Sequence, residues 1–201
     1  MPPFFVHCVE DNAFYHSSIQ NGECFIFNDN YINCPEVVCH EFTHGVIANT
    51  NPLGSSGQEG ALNEAIADVV GIVFKRSRYM INDWKIDRLR DLSESFHFKD
   101  LKNFKLQYNS NGESTNDHGN VHHNSRFISH AFYLASRNLA ASNADQGDKQ
   151  LLNIWWNAVL SLKQHEKTFN GFIKKTIRIG ATNGKIIKEA IEQAWQQVTK
   201  Q

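Results

Sequence analysis

The spacing of apolar residues divides the chain into a short extended region and a longer helical one. Residues 4 to 32 have the pattern of extended structure, and the stretches 12 to 16 and 23 to 27 predict two strands. The sequence Gln-Asn-Gly at 20 to 22 predicts the turn between them. Because a lone hairpin is barely stable in water, we expect it to pack against the helices that follow.

Helical spacing begins at Pro35, which suits the first turn of a helix whose apolar run extends from 37 to 47. A stretch rich in Gly, Ser and Asn at 49 to 60 predicts the loop after it, and a second helix is predicted from about 61 to 76. Three or four amphipathic helices are predicted further on, near 126 to 142, 148 to 165, 168 to 178 and 184 to 198. The tryptophans predicted to lie in the core are Trp155, Trp156 and Trp195.

Residues 83 to 125 separate the early helices from the late ones. This region alternates short apolar patches with Asn, Ser, Gly and charged residues, which predicts mostly irregular structure with one short helix. Long loops in compact domains usually carry function. The elements as a whole predict an α+β fold that is mainly α-helical.

Composition narrows the range of functions. The 201 residues, 41% of them hydrophobic, are enough for a substantial core in one domain or two small lobes. A net charge of -1 gives no electrostatic footprint for nucleic acid, and no apolar run is long enough to span a membrane. The first eight residues lack the charged start and long apolar core of a secretory signal.

The main chemical signal is His40-Glu41-Phe42-Thr43-His44, a His-Glu-x-x-His motif within the first predicted helix. Histidines four residues apart share one helix face, so their imidazoles can converge on one metal ion with Glu41 beside it. A tetrahedral zinc with three protein ligands keeps a water whose pKa falls to about 7, and a nearby carboxylate can accept its proton. Because the motif also arises by chance, a pair of ordinary helix histidines is the alternative.

Glu64 and Asp68 in the second predicted helix extend the metal-site interpretation. They lie one helical turn apart on one face. One carboxylate can therefore bind zinc while the other accepts the N–H of a ligating histidine and fixes its tautomer. Considered alone, the pair is equally well explained as two solvated surface carboxylates.

Four cysteines fall in the first forty residues, and they are Cys8, Cys24, Cys34 and Cys39. Their even number permits two disulfides without requiring them, and we expect mostly free thiols. Cys39 directly precedes the first motif histidine, but on a helix it points elsewhere. It therefore suits a small buried apolar position better than a zinc site.

Five segments, in order along the chain, resemble the thermolysin-like neutral metallopeptidases, which are gluzincins. They are Asn12 to Tyr15, His40 to His44, Asn63 to Asp68, Leu89 to Ser93 and Asp117 to Ser125. The resemblance implies a secreted zinc endopeptidase that hydrolyses peptides or unfolded proteins. It also implies a truncated N-terminal lobe at residues 1 to 49, with the hairpin and the zinc helix, and a C-terminal helical lobe at residues 50 to 201.

The resemblance implies a role for each matching residue at the centre of the site. His40, His44 and Glu64 would bind one zinc ion, and Glu41 would be the general base. Asn63 and Asp68 would contact the ligands without binding the metal themselves. The family's Val-His-x-Asn-Ser pattern selects His122 over its neighbour His123 as the donor to the oxyanion, with Asp117 holding the imidazole. A solvated histidine is the alternative for this Asn- and Gly-rich loop.

Further residues are implied on the substrate side. Arg90 would hydrogen-bond the carbonyl on the leaving side of the cut. Val37 and Leu89 would line an apolar pocket that favours Leu, Ile or Phe there. Asn12 and Ala13 would bind the peptide backbone by strand addition, a mode with little side-chain selectivity.

The chain also departs from the family pattern. Only about eleven residues precede the Asn-Ala-Phe-Tyr segment, where family members carry a long β-rich region, so half of the cleft wall is expected to be missing unless a partner chain supplies it. Ser55 stands where the family has a tyrosine that assists the oxyanion, and Arg126 stands where it has a glycine. A catalytically weak or inactive relative that binds peptides or a partner protein is therefore the second hypothesis. An exopeptidase is disfavoured, because no acidic Gly-x-Met-Glu-Asn type of element is found.

Family members commonly bind a calcium pair through carboxylates. Here Lys75 and Lys85 occupy two positions where glutamates are expected, which leaves Glu36 and Asp83 as the matching acids. Ammonium groups repel a cation that needs six to eight oxygens, so we expect zinc without calcium. The two lysines either pair with Glu36 and Asp83 or point into solvent.

Overall fold

The structure is a computed structural model that describes residues 2–18, 22–79, 83–87, 89–139 and 144–200. Within these ranges the chain forms six α-helices and five short strands. The helices are α1 (Pro35–Thr50), α2 (Gly57–Tyr79), α3 (Asp117–Leu139), α4 (Ala144–Leu160), α5 (Phe169–Thr182) and α6 (Lys185–Thr199). The strands are β1 (Phe4–Phe5), β2 (Ala13–Ser18), β3 (Gly22–Phe27), β4 (Lys85–Ile86) and β5 (Arg90–Asp91). The predicted fold class, α+β and mainly helical, is confirmed.

The first three strands form one small sheet in the order β1-β3-β2. β2 and β3 are antiparallel, with Tyr15 opposite Phe25, as the two predicted strands require. β1 adds a parallel third strand, and β2 is left at the edge of the sheet. Most of the predicted turn at 20 to 22 lies outside the described residues.

Aromatic rings fix this sheet on α1. The ring of Phe25 stacks on that of Phe42 in α1 with centroids 4.7 Å apart, and Phe4 approaches the same ring at 5.5 Å. Gly45, one turn further along α1, leaves room for this contact, because a Cβ there would lie 3.0 Å from the Phe25 ring. The close packing places the free edge of β2 beside the helix that carries the His-Glu-x-x-His motif.

The helical core lies where α2 packs against α1 and α3, with α6 behind α3. Trp155 and Trp195 are buried there as predicted, and their rings stack with centroids 6.0 Å apart. Trp156 is only half-buried, so its predicted place in the core is wrong. Successive residues of a helix point about 100° apart, and the core face of α4 is taken by Trp155.

Some element boundaries differ from the predictions. α2 begins at Gly57 and not near 61, and α4 ends at Leu160, with a separate 3-10 turn at Gln164–Glu166. The region 83 to 125 is irregular over most of its length as predicted and contains the 3-10 turn Phe98–Asp100, but α3 begins within it at Asp117 and not near 126. The pairing of β4 with β5 was not predicted, since strands of two residues show no alternation of apolar and polar positions.

All four cysteines are free thiols in this structure. Burial raises the pKa of Cys39 to about 11, which disfavours its thiolate at neutral pH. Its side chain lines an apolar groove with Val70 and Trp156, on the side of α1 away from the cavity lined by His40. In the ranges that the structure describes, no helix has both the length and the apolar character needed to cross a membrane.

A buried ammonium group joins α1, α2 and β4. Lys75 Nζ lies 3.1 Å from Glu36 Oε1, 3.1 Å from Asp83 Oδ1 and 3.1 Å from the carbonyl oxygen of Lys85. Burial lowers the pKa of Lys75, but hydrogen bonds to Glu36 and Asp83 outweigh burial and raise it. Of the two alternatives stated for the lysines, ion pairing therefore holds for Lys75. The side chain of Lys85 is exposed, and only its backbone reaches this cluster.

One buried histidine outside the motif predicts a pH effect on stability. The Nδ1 atom of His130 lies 3.0 Å from the Leu92 carbonyl oxygen, and burial lowers the pKa of its imidazole. A histidine with a lowered pKa binds its proton more readily in the unfolded chain, so the free energy of unfolding should fall as the pH drops below about 6.5. Between about pH 7.5 and 5.5 we expect the melting temperature of His130→Gln to fall less than that of the wild type, because the glutamine amide does not titrate. Equal losses in both proteins would contradict this prediction.

Candidate active site

Helices α1 and α2 bring together the three predicted metal ligands, His40, His44 and Glu64. The Nε2 atoms of the histidines are 3.0 Å apart, and carboxylate oxygens of Glu64 lie 3.3 Å from His40 Nε2 and 3.5 Å from His44 Nε2. Ligand atoms of a tetrahedral zinc are about 3.3 to 3.5 Å apart, given bonds of about 2.0 to 2.1 Å. The donor set fits zinc, and the two distances from Glu64 match this range, while the two Nε2 atoms lie somewhat closer together. Among the described residues this is the one group of three or more His, Cys, Asp or Glu side chains arranged to hold a metal ion.

The Nδ1 atom of each histidine lies close to a side-chain oxygen outside the ligand cluster. His40 Nδ1 lies 2.9 Å from Asp68 Oδ1, and His44 Nδ1 lies 3.0 Å from Asn63 Oδ1. His44 Nδ1 is within hydrogen-bond distance of Asn63, and the Asp68 carboxylate lies against His40 Nδ1 as an ion-pair contact, so a proton on each Nδ1 would leave the Nε2 lone pair directed at the cluster. Both residues expected to support the ligands are thus next to them, and Asp68 is paired with His40.

Asp68 carries a negative charge in a fully buried position. Arg90 forms a two-pronged ion pair with it, with Nε 2.7 Å from Oδ2 and Nη2 2.7 Å from Oδ1. Burial raises the pKa of Asp68, but Arg90 and His40 outweigh it and lower the pKa below its usual range. The carboxylate therefore stays ionised. Arg90 reaches it from β5, where its backbone lies opposite Ile86 of β4.

Glu41 is buried beside the ligands without joining their cluster. Its Oε2 accepts the backbone N–H of Tyr15 from the edge strand β2 at 2.8 Å. Burial raises the pKa of Glu41, against the opposing charges of His40 and His44. One oxygen is thus fixed by the strand, and the carboxylate has an increased affinity for a proton.

The structure distinguishes between the two neighbouring histidines. His122 Nε2 lies 3.1 Å from Glu64 Oε2, and its Nδ1 lies 2.8 Å from Asp117 Oδ1. His123 points away, with its Nε2 3.0 Å from the Asp100 carbonyl oxygen. Burial alone would lower the pKa of His122, but hydrogen bonds to Asp117 and Glu64 raise it to about 10. These contacts favour the protonated form of the His122 imidazole, which faces the candidate metal cluster.

The predicted substrate residues gather around a small cavity of about 80 Å³. Its predicted lining residues are Asn12, Ala13, Val37, His40, Glu41, Leu89, Arg90 and His122. Val37 is buried at its base and Leu89 is half-exposed at its rim. Tyr31 and Ile86 also line it and were missed, because Tyr31 lies within a turn and Ile86 in a strand of two residues, so neither belongs to a periodic pattern.

Of the two residues that depart from the family pattern, Ser55 and Arg126, it is Arg126 that lies beside this cavity. Ser55 is exposed in the loop before α2. The Arg126 guanidinium lies over the Phe96 ring, 5.1 Å from its centroid, and is 2.6 Å from Glu94. Together with Leu89 and Arg90, Arg126 lines a second cavity of about 410 Å³ that adjoins the first.

Sequence comparison with known proteins identifies a family and several relatives. A family model for the thermolysin metallopeptidase alpha-helical domain matches residues 52–199. The chain is similar to the extracellular metalloprotease of Pectobacterium carotovorum subsp. carotovorum, with 28% identity over 96% of this chain and 62% of that protein. It is also similar to the thermolysin of Alicyclobacillus acidocaldarius subsp. acidocaldarius, with 29% identity over 61% of this chain and 25% of that protein. The chain thus spans about a quarter of the length of such thermolysins.

A solved structure shares the fold. The precursor of protealysin, a metalloproteinase from Serratia proteamaculans, superposes with a TM-score of 0.77 at 24% sequence identity. The match covers 97% of this chain and 67% of that chain. The likeness therefore extends from the small sheet through all the helices described above.

Proposed function

The chain belongs to the thermolysin metallopeptidase family, and from this premise we propose that it is a zinc-dependent endopeptidase. Relatives that it matches are metalloproteases, which supports a metalloprotease function in general. The finer proposal depends on one observation, that His40 of the candidate metal cluster, Glu41 and His122 line the same cavity. A metal ligand, a base and a hydrogen-bond donor around one cavity are the groups that peptide hydrolysis requires.

Glu41 is the proposed general base. Zinc held by His40, His44 and Glu64 would lower the pKa of water and polarise the peptide carbonyl. Glu41 accepts the proton of the attacking water and passes it to the leaving amine. Since the Tyr15 N–H holds Oε2, Oε1 is the oxygen left to carry this proton.

His122 is the proposed donor to the developing oxyanion. Its imidazole donates from Nε2 toward the carbonyl oxygen as negative charge builds there. Asp117 accepts the Nδ1–H, which stabilises the ring in the form that carries both N–H groups and fixes its direction. Arg90, on the same cavity, is the proposed partner for the carbonyl on the leaving side.

Zinc analysis of the purified protein, paired with cleavage of an unstructured protein such as casein, tests this function. We expect zinc at about one ion per chain and cleavage that stops when zinc is removed. A protein that binds zinc without cleaving would support the second hypothesis, a relative that only binds peptides. A protein that takes up no zinc would overturn the zinc-dependent function and leave only the second hypothesis, a relative that binds peptides or a partner protein.

The lining of the cavity predicts where substrates are cut. Val37 and Leu89 present apolar surface, and the edge strand β2 can pair with an extended backbone. Cleavage should therefore fall before large apolar residues in unfolded chains. Mass spectrometry of digestion products checks this, and cuts clustered after Lys or Arg would contradict it.

A further inference from the structure

The backbone just before His122 has an unusual conformation. Residues 117 to 120 have φ angles of 50°, 51°, 92° and 59°, so four consecutive residues are left-handed. Only glycine adopts this conformation without cost, and three of the four are Asp, His and Asn. Such strain persists only where the surrounding structure imposes it. The turn lies between Asn116 and Val121, and it sets the distance between the Asp117 carboxylate and the His122 ring.

Three asparagines spaced four residues apart connect this turn to the neighbouring segment 102–107. Asn116 donates to the Lys105 carbonyl at 2.9 Å and accepts the N–H groups of Gln107 at 3.1 Å and Gly119 at 3.3 Å. Asn120 donates to the Asn103 carbonyl at 2.9 Å. Asn124 accepts the Lys102 N–H at 2.8 Å and donates to the Lys102 carbonyl at 3.1 Å. We call these three side chains the asparagine ladder.

Direct packing reinforces the ladder at its centre. Gly119 has a φ of 92°, and a Cβ there would lie 2.5 Å from the Phe104 carbonyl oxygen. The segment 102–107 therefore presses against the left-handed turn at the point where a side chain would prevent contact. The segment 102–107 lies outside any helix or strand, and residues 118 to 120 have non-helical backbone angles at the start of α3, so side-chain amides supply much of the hydrogen bonding between the two.

The turn determines the geometry of the proposed oxyanion donor. Asp117 Oδ1 lies 2.8 Å from His122 Nδ1, and Asp117 Oδ2 accepts the His122 backbone N–H at 3.0 Å. Both bonds span the turn, so they form only when residues 117 to 120 keep their left-handed conformation. A displacement of about 1 Å at a catalytic group can lower a rate by about 100-fold.

We propose that Asn116 and Asn120 are positioning residues, which hold the left-handed turn so that Asp117 directs the His122 imidazole at the substrate. They act through the turn and the segment 102–107 and do not touch substrate. The inference rests on the proposed function for the role of His122, but the geometry that it assigns exists whether or not the chain cleaves peptides.

Alanine variants of the ladder test the proposal. We expect Asn116→Ala and Asn120→Ala each to lower kcat roughly tenfold or more, with KM and zinc content unchanged, because ligands and base lie on other helices. Asn111→Ala is the matched control, since Asn111 is exposed in the same loop and should leave kcat unchanged. An unchanged kcat in both ladder variants would overturn the proposal.

A double-mutant cycle separates positioning from general destabilisation. In a His122→Ala background, Asn116→Ala should cause no further loss of kcat, because the group that it positions is already gone. Losses that multiply in the double variant would instead show a role independent of His122.

A readout that needs no activity completes the test. Amide hydrogen exchange at His122 should become at least about tenfold faster in both ladder variants than in Asn111→Ala, because the bond to Asp117 Oδ2 opens. If the wild type proves unable to cleave peptides, the proposed function fails while this measurement still decides the positioning role. Unchanged exchange would overturn it.

Discussion

Glu41→Gln should retain zinc and lose at least about 100-fold in kcat, the contribution that a general base usually makes. Glutamine has the same shape, and its carbonyl oxygen can still accept the Tyr15 N–H that holds the carboxylate. An amide cannot take a proton from the attacking water. The substitution therefore removes the proposed chemistry and leaves the metal ligands in place. Metal analysis and peptide kinetics on the same preparation measure both quantities.

Glu64→Gln is the matched comparison, because it removes a charge from the candidate ligand set. Its carboxylate lies 3.3 Å from His40 Nε2 and 3.5 Å from His44 Nε2, whereas Glu41 lies outside this cluster. We expect Glu64→Gln to weaken zinc binding, with activity restored in part by added zinc. Loss of zinc from Glu41→Gln, or unchanged cleavage by it, would show that the roles of the two glutamates are assigned wrongly.

The site residues that spacing alone predicted lie on regular helices, whereas Asn12, Leu89 and Arg90 were predicted only from the family resemblance. A fixed spacing of four on a helix puts His40 and His44 on one face, and the same rule places Glu64 and Asp68 together on α2. The sequence did not predict how α1 and α2 cross, and it is this crossing that brings the two pairs of residues together. The α+β fold class could be predicted for a similar reason, because a long helix gives a long periodic pattern of apolar residues in the sequence.

Other parts of the site depend on contacts between distant segments, which no local pattern records. The Tyr15 N–H reaches Glu41 across 26 residues, and Arg90 reaches Asp68 across 22. The left-handed turn before His122 hid the start of α3, because a helix signal is absent where φ is positive. Strands of two residues, such as β4 and β5, are also difficult to predict, because they are too short to show a periodic pattern.

The ammonium group of Lys75 links helices α1 and α2 through its ion pair with Glu36. Three oxygens converge on its ammonium group, from the Glu36 and Asp83 carboxylates and the Lys85 carbonyl. Glu36 is 4% exposed, so its carboxylate is buried against this ammonium group. By resemblance to the family, carboxylates in this region would hold calcium. A positive charge already occupies the centre of the oxygen cluster.

Adding millimolar calcium, or a calcium-selective chelator, should therefore leave the melting temperature of the wild type unchanged. Lys75→Met should lower the free energy of unfolding by roughly 3 to 5 kcal/mol, because it leaves the Glu36 carboxylate buried without its partner. Lys75→Glu should also be unstable alone, yet its added carboxylate gives the site a third acidic side chain, so calcium should raise its melting temperature. Lys99→Met is the matched control, since Lys99 is exposed and its loss should cost less than about 1 kcal/mol. A clear calcium-dependent rise in the wild type would mean that the ammonium group does not replace a metal there, or that calcium binds elsewhere on the chain.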